Sequence, residues 1–434
     1  MHQSRKSKEM NGLKTVLHVG TLIDSQSPNP SSNMLIFITG DRITEILEFN
    51  DETKKLLDGD FKLIDLREFT VMSGMVDAHM HFFGVPSTNL DQMMTEIDAF
   101  RALRASREAS EMLNAGITAA RCLGSSISPS LKRAIDSGIT PGPRLIVSGQ
   151  FICASNGTWD HVKVPVERMR AAGMLADGVD ELRQKVRERL REGASAIKIG
   201  LSIGAVGDIY HAWGDDPENA VASYNIEEIL AATEEAHKNR IKVSAHCIGD
   251  TAVVNAVLGG VDVIEHGYPI SPKTRKMVAE KGILVTSTAA QLFYHNEAAE
   301  KFGYSEGEKI LFLKHEESMH KNFELGLEAK IRYCLGSDLI GPPTHAQNLF
   351  AKEYEIVVNW GMTPMQAIIA GTAVSAEALG MQDDIGTVEK GKFADLIAMR
   401  ISPIVDIKQL QDVKFVMQGG KVIKNEATLE RLQQ

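Results

Sequence analysis

Short apolar segments that predict β-strands alternate with segments that predict helices over about 300 residues of this chain. Such alternation favours a parallel sheet, and eight strand–helix units favour an α/β fold of the (β/α)8 TIM-like barrel type. The active sites of such barrels lie at the carboxyl ends of the strands, so polar residues there are the first candidates for function. The predicted barrel strands are 75–81, 117–121, 144–150, 196–201, 242–246, 261–266, 283–288 and 331–337.

Two histidines one residue apart, His79 and His81, end the first predicted strand. Successive side chains of a strand point to opposite faces, so residues two apart share one face. Two imidazoles held in this way supply half of a transition-metal site. Two structural histidines in a core would show the same pattern, and the pair alone does not decide between these interpretations.

A lysine, Lys198, lies within the fourth predicted strand, 196–201. A buried lysine is costly unless it is neutral or paired with an opposite charge. In one interpretation the neutral amine has added carbon dioxide, and the resulting carbamate is an anion able to bridge two cations. In the other, the lysine extends its ammonium to solvent from the end of the strand.

Three more polar residues occupy the ends of later strands: His246, His266 and Asp338. Each histidine alone is as typical of a core as of a metal site, and an aspartate after Gly-Ser is more often a turn residue. The candidates nevertheless fall on strands one, four, five, six and eight, all at the same end. Unrelated structural residues are not expected to segregate in this way.

Several short motifs accompany these residues and cover nearly the full length of the chain. Together they resemble the amidohydrolase superfamily, in the branch related to imidazolonepropionase that contains Xaa-Pro and Xaa-Arg dipeptidases, arginine carboxypeptidases and ochratoxin-hydrolysing amidases. The motifs are the segments 73–81, 264–267, 336–338, 362–367 and 386–396, with Lys198 and His246 between them.

The resemblance implies two divalent metal ions held by six side chains. Zinc is the expected metal, and manganese, cobalt and nickel remain open for ligands of this kind. The implied ligands are His79, His81 and Asp338 for one ion, His246 and His266 for the other, and Lys198, as N6-carboxylysine, for both.

The implied reaction is hydrolysis of an amide-type C–N bond in a peptide, N-acyl amino acid, urea or carbamate. A hydroxide held between the metal ions attacks the carbonyl, because the ions lower the pKa of their bound water. Asp338 takes the proton and passes it to the leaving nitrogen. Tyr224 matches a family tyrosine that could donate to the developing oxyanion, or it packs at a helix N-terminus.

The segment after the third strand departs from the dipeptidase pattern Thr-Gly-Gly-His. Thr158 stands at the position of the histidine, Trp159 follows it, and His161 lies three residues beyond Thr158. Trp159 either lines a substrate pocket or packs under the loop. These three residues are the candidate substrate contacts together with Tyr224, and they favour an apolar or aromatic substrate group over a charged dipeptide.

Three other functions fit the sequence less well. A mononuclear deaminase or cyclic-amide hydrolase of the imidazolonepropionase type lacks the bridging lysine, which Lys198 supplies here. A non-catalytic structural barrel typically lacks ligands, and none is missing. The sequence 200–204 matches the Gly-x-Ser-x-Gly elbow of serine hydrolases, but an elbow enters a helix directly, whereas 205–217 predicts a long loop over the active site.

Both ends of the chain are rich in short β-type segments, unlike the middle. We expect residues 1–72 and 390–434 to form one small β-sandwich domain, with the barrel at 73–389 inserted between them. The 434 residues suffice for a large barrel and a small accessory domain.

The composition of the chain limits which partners and which cellular location are expected. A net charge of −10 argues against nucleic acid or an anionic membrane as a partner. The chain has neither an evident signal peptide nor an apolar run of membrane-spanning length, and its four cysteines form no Cys-x-x-Cys pair. A cytoplasmic homo-oligomer acting on a small-molecule amide is expected.

Overall fold

The computed structural model describes residues 14–160, 164–203 and 217–427. Strands from both ends of the chain lie in one group, and the other strands alternate with helices between them. The strands are β1 (Lys14–Ile23), β2 (Ser31–Thr39), β3 (Arg42–Glu48), β4 (Lys62–Ser73), β5 (Met75–Met80), β6 (Ile117–Cys122), β7 (Arg144–Val147), β8 (Ile152–Cys153), β9 (Ile197–Gly200), β10 (Val243–Ile248), β11 (Val263–Tyr268), β12 (Leu284–Ser287), β13 (Arg332–Leu335), β14 (Leu396–Met399), β15 (Phe415–Gln418) and β16 (Lys421–Asn425).

The helices follow the strands of the middle section. A π-helix, Ala370–Val374, connects the last two α-helices, and short 3-10 helices cover Thr53–Asp58, Pro217–Asn219, Gln347–Leu349 and Ile407–Gln411. The α-helices are α1 (Gln92–Thr95), α2 (Asp98–Asn114), α3 (Ser128–Asp136), α4 (Val166–Ala171), α5 (Gly178–Glu192), α6 (Ile226–Lys238), α7 (Asp250–Leu258), α8 (Pro272–Lys281), α9 (Ala289–Phe302), α10 (Glu306–Glu328), α11 (Ala351–Asn359), α12 (Pro364–Ile369) and α13 (Ser375–Leu379).

Seven strands from the two ends of the chain form one sheet, in the order β16-β15-β14-β4-β1-β2-β3. The ends meet where β14 pairs antiparallel with β4, with Leu396 opposite Ser73. Residues two apart, such as Leu17 and Val19, enter one buried cluster, as the two-residue period of a strand requires. The association of the two ends is therefore observed, while the two-layered sandwich and the domain limits stay predictions.

All eight strands predicted for the middle section are present, and they pair in parallel. One sheet has the order β5-β6-β7 and the other the order β13-β12-β11-β10-β9-β8. Strands such as β10 and β11 are buried along their whole length, which is typical of a parallel sheet covered on both faces. The α/β class with parallel strands is confirmed.

Several predicted strand ends are wrong: β7 ends at Val147, three residues early, and β13 ends at Leu335, two residues early, so Asp338 lies just beyond its strand. β10 continues past His246 to Ile248, and β11 continues past His266 to Tyr268. The backbones keep pairing up to Ile248 and Tyr268, with a register shift after Cys247. The two histidines therefore lie inside their strands, where backbone pairing on both sides restrains them.

Backbone hydrogen bonds also link the two parallel sheets at both of their junctions. Asp338 N donates to His79 O at 2.6 Å, and His81 N donates to Leu339 O at 2.9 Å. At the other junction, Ser195 N donates to Val147 O at 2.7 Å. The first pair of bonds fixes the segment after β13 directly beside the two histidines of β5.

Two further predictions concern cysteines and membranes. All four cysteines are buried and unpaired, as the absence of a Cys-x-x-Cys motif led us to expect. Within the described ranges, every helix is too short or too polar to cross a bilayer.

Candidate metal centre

The six predicted metal ligands line a single small cavity, although they come from five different strands or strand ends. Trp159, which was predicted to contact substrate, and Gln291, which was not predicted, complete its wall. The six ligands are His79, His81, Lys198, His246, His266 and Asp338.

The tightest part of this cavity is formed by His79, His81 and Asp338. Asp338 Oδ1 lies 3.0 Å from His81 Nε2 and 3.3 Å from His79 Nε2. One potential ligand atom from each residue falls within 4.8 Å of the others. Two imidazole nitrogens and a carboxylate oxygen converging in this way form a donor set suited to zinc and similar transition metals.

The other histidines lie beside this group. The rings of His79 and His266 have centroids 5.2 Å apart, and those of His266 and His246 are 4.6 Å apart. Lys198 Nζ lies 3.5 Å from His79 Nε2. Lys198 thus stands beside a member of the first group.

Backbone strain accompanies two of the candidate ligands. Asp338 has φ +52° and His266 has φ +68°, in the left-handed region that residues other than glycine rarely adopt. Such conformations persist only when surrounding contacts enforce them, and they cluster at functional sites. For Asp338 the enforcing contact is its hydrogen bond to the carbonyl of His79.

Three of the histidines have their Nδ1 atoms engaged by other groups. His81 Nδ1 lies 3.2 Å from the Gly124 carbonyl oxygen, and His266 Nδ1 lies 2.7 Å from Thr288 Oγ1. His79 Nδ1 lies 2.9 Å from Glu265 Oε2, a close contact that does not have hydrogen-bond geometry in this conformation. Partners on one ring nitrogen fix the orientation and tautomer of a ligating histidine and leave the other nitrogen for the metal.

Glu265 is itself held by a buried arginine. Arg121 Nη2 donates to Glu265 Oε1 at 2.7 Å, its Nε donates to Ala78 O, and its Nη1 donates to Ser244 Oγ. Glu265 is 0% and Arg121 1% exposed. The sequence analysis missed this pair, although a charged residue inside an apolar strand is the same signal that singled out Lys198.

Burial controls the charge states in the cavity. It lowers the pKa of Lys198 to about 8, against the opposing effect of the negative charges of Glu265 and Asp338. Burial, followed by the positive charges of neighbouring residues, holds the pKa values of His79 and His266 well below their usual range. The imidazoles of His79 and His266 are therefore neutral, which is the form that binds metal, and Lys198 has an accessible neutral amine.

Trp159 forms an aromatic wall next to the candidate ligands. Its ring centroid lies 6.1 Å from that of His81, 5.6 Å from Phe83 and 5.0 Å from Phe151. Its φ of +75° is rare for a bulky residue. Trp159 both lines the cavity and packs in a buried cluster with Phe83 and Phe151, so its position agrees with both interpretations.

The structure does not bring Tyr224 or Thr158 to this cavity. The Tyr224 hydroxyl donates to the Ala176 carbonyl at 2.6 Å, and burial raises the pKa of this phenol. The Thr158 hydroxyl donates to the Ser202 carbonyl at 2.9 Å. Both side chains are buried with their hydroxyls engaged by the backbone, so in this conformation neither is available to substrate.

Gln291 is the polar residue of the cavity that the sequence analysis missed. It lies in the first turn of α9, directly after β12, and its side chain is buried. Its Oε1 atom has no hydrogen-bond partner among the described residues. The available signal was its position, because it follows the carboxyl end of the seventh predicted strand.

Two parts of the sequence analysis fall outside the described residues. His161 is one, and most of the loop predicted over 205–217 is the other. The candidate elbow serine, Ser202, lies just before that loop, and its Oγ accepts a hydrogen bond from Ile248 N at 2.7 Å.

A family comparison agrees with this geometry. The sequence profile of the amidohydrolase family matches residues 70–423. The chain belongs to this family. The resemblance inferred from the motifs is thereby confirmed.

Individual amidohydrolases are similar over almost the whole chain. Ochratoxinase from Aspergillus niger is 29% identical over 436 residues, which cover 94% of this chain and 86% of that protein. Its crystal structure has a TM-score of 0.84 at 27% identity and covers 96% of each chain. A Xaa-Pro dipeptidase with bound methionine has a TM-score of 0.82 at 28% identity, with coverage of 94% and 99%. The protein is thus a hydrolase that acts on C–N bonds.

Proposed function

We propose that this amidohydrolase uses two divalent metal ions to hydrolyse an amide-type C–N bond next to an apolar or aromatic group. The observation that carries the proposal is the convergence of six metal-ligating side chains on one cavity. His79, His81 and Asp338 come within 4.8 Å of one another, and Lys198 lies 3.5 Å from His79.

The framework of the proposal is a closed (β/α)8 barrel. The hydrogen bonds from Asp338 to His79 and from Ser195 to Val147 support closure, because each joins one parallel sheet to the other. Closure places the ends of β5, β9, β10, β11 and β13 around a common axis. Groups from distant parts of the chain are then held in fixed positions, as catalysis requires.

The proposed ligand assignment follows the arrangement of the side chains in the cavity. His79, His81 and Asp338 would hold one ion, and His246 and His266 the other. Lys198, as a carbamate, would contribute one oxygen to each. Two divalent ions held here would supply Lewis acidity and lower the pKa of water toward neutrality, from about 15.7 in bulk.

The side chains of this protein would move the protons and orient the substrate. The Asp338 carboxylate accepts the proton of the attacking water and donates it to the leaving nitrogen, so the amine departs neutral. Glu265 keeps His79 oriented throughout. The Gln291 amide, rather than the Tyr224 phenol, is the polar group placed to contact the substrate.

The substrate class follows from the wall formed by Trp159. Aromatic surface binds an apolar group without requiring a paired charge. One similar protein is named for its action on ochratoxin and another for its action on Xaa-Pro dipeptides. An amide with an aryl or bulky apolar substituent is therefore the substrate class to test first.

Metal counting on the purified protein, combined with a hydrolysis screen, tests the proposal. The screen should include aryl amides, N-acyl amino acids, dipeptides and phenylureas. Two ions per chain and hydrolysis of one of these classes are expected. His266→Ala should lose metal and activity, whereas His237→Ala, at an exposed histidine paired with Asp262, should retain both. One ion per chain would favour the mononuclear alternative, and none would favour a non-catalytic barrel.

A further inference from the structure

A second cavity, of about 400 Å³, lies outside the metal centre. It is bordered by the turn between β11 and α8 on one side and by one face of α10 on the other. None of the residues lining it lines the metal cavity. Its volume suits a small organic molecule.

The decisive feature of this second cavity is the buried cation Arg275, which is 8% exposed. Its Nη2 donates to Ile270 O at 2.9 Å and reaches Asn322 Oδ1 at 3.4 Å. Its Nε has no hydrogen-bond acceptor among the described residues. Arginine stays charged in proteins, so burying it without a counter-charge is costly.

The positions around Arg275 add to this positive charge. Arg275 belongs to the first turns of α8, where the helix dipole is itself positive. Lys321 on α10 lines the same cavity. An anion in the cavity would relieve the uncompensated charge, and a planar carboxylate matches the geometry of a guanidinium best.

The remaining wall is mixed: it contains one acidic residue, a second lysine (Lys314), the polar Ser318 and several apolar residues. Glu317, which is exposed, lines the cavity from α10, and Ile270, Leu325 and several prolines supply its apolar surface. A ligand with a carboxylate, an ammonium group and an apolar side chain would use all three kinds of surface.

We propose that this cavity binds a free apolar α-amino acid. The carboxylate pairs with Arg275, the ammonium group faces Glu317, and the side chain lies against Ile270 and Leu325. The inference does not depend on the proposed hydrolytic function, because no ligand of the metal centre takes part in it.

Asn322 connects this site to the strand that carries a candidate metal ligand. Its Oδ1 faces Arg275 and accepts from Ile270 N at 3.2 Å, while its Nδ2 donates to Gly267 O at 3.1 Å. Gly267 directly follows His266. Substitutions for the test are therefore made at Arg275 and Glu317, and Asn322 is left intact.

The test is calorimetric titration of the full-length, metal-loaded protein with three probes. L-Leucine carries all three recognised groups, 4-methylpentanoate lacks the ammonium group, and 3-methylbutylamine lacks the carboxylate. Leucine is expected to bind at least about tenfold more tightly than either analogue, since each lost charge pair leaves a partner unmatched. Equal binding of leucine and 4-methylpentanoate would overturn the amino-acid assignment.

Two variants separate this site from binding at the metal centre. Arg275→Gln keeps a donor for Ile270 O but removes the charge, and it should weaken leucine binding about tenfold or more. Glu317→Gln, at an exposed position, should weaken the binding of leucine but not that of 4-methylpentanoate. Metal content and thermal midpoint serve as controls for folding. Unchanged leucine affinity in both variants would refute the site.

Discussion

Glu265 Oε2 lies 2.9 Å from His79 Nδ1, and both side chains are almost fully buried. The other carboxylate oxygen of Glu265 accepts from Arg121 at 2.7 Å. The imidazole of His79 therefore faces a carboxylate that is itself held by a buried arginine from a neighbouring strand. Glu265 contacts no reacting atom in the proposed mechanism, so it is a positioning residue for the metal ligand.

The first prediction is that Glu265→Gln weakens metal binding about 10- to 100-fold. A neutral amide attracts the imidazole of His79 less strongly than a carboxylate does. Chelator competition on the purified variant measures this affinity. Glu235→Gln is the matched control, since Glu235 is also a buried glutamate paired with an arginine, Arg187, but lies away from the cavity. Equal metal affinity in the two variants would contradict the role of Glu265.

The second prediction concerns the carbamate on Lys198. Burial lowers the pKa of this amine to about 8, so its neutral, reactive fraction rises as the pH increases through 8. At fixed dissolved carbon dioxide, carbamate formation should be about tenfold or more greater at pH 8.5 than at pH 6.5. A carbon-13 NMR signal from labelled carbon dioxide reports it directly.

Lys198→Arg is the control for this measurement, because it keeps a cation but cannot form the carbamate. Lys198→Ala should lose both metal and activity, with partial rescue by short carboxylic acids. A free ammonium at Lys198 in fully metal-loaded protein would refute the bridging role.

The third prediction separates the two roles of Asp338. Asp338→Asn keeps an oxygen for the metal but removes the base, so turnover should fall about a hundredfold or more while much of the metal is retained. Metal analysis and kcat on the same sample measure both quantities. Asp262→Asn, at an aspartate paired with the exposed His237, is expected to leave turnover unchanged. Near-normal turnover in a metal-replete Asp338→Asn enzyme would show that another group is the base.

The fourth prediction addresses substrate choice. Trp159→Ala should lower kcat/KM for aryl amides about tenfold, through lost aromatic contact, and should affect dipeptides ending in Arg or Lys much less. Thr158→Val is the neighbouring control. The substitution removes a hydroxyl that donates to the Ser202 carbonyl, and the backbone N–H of Thr158 still donates to that carbonyl at 2.8 Å. The free energy of unfolding should therefore fall by about 1 kcal/mol, with no change in substrate selectivity. A preference of the unmodified enzyme for the basic dipeptides would contradict the proposed substrate class.

The candidate ligands could be recognised from sequence because strand geometry is local. The two-residue period of a strand places His79 and His81 on one face, whatever lies around them. Parallel strands also bring their carboxyl ends to one side, so His246, His266 and Asp338 were expected to converge. The extension of β10 and β11 by two residues was missed, because neighbouring-strand pairing rather than local composition decides where a strand ends.

Residue roles that depend on distant partners could not be predicted in this way. The sequence alone determined the order of strands and helices, the parallel class of the sheets and the candidate ligands, because these follow from local periodicity. Only the tertiary structure decided that Arg121 meets Glu265, 144 residues further along the chain, and that Tyr224 turns its hydroxyl to Ala176. A buried polar group must form a hydrogen bond with a group that lies next to it in the folded protein. The assembly of the whole fold determines which group that is.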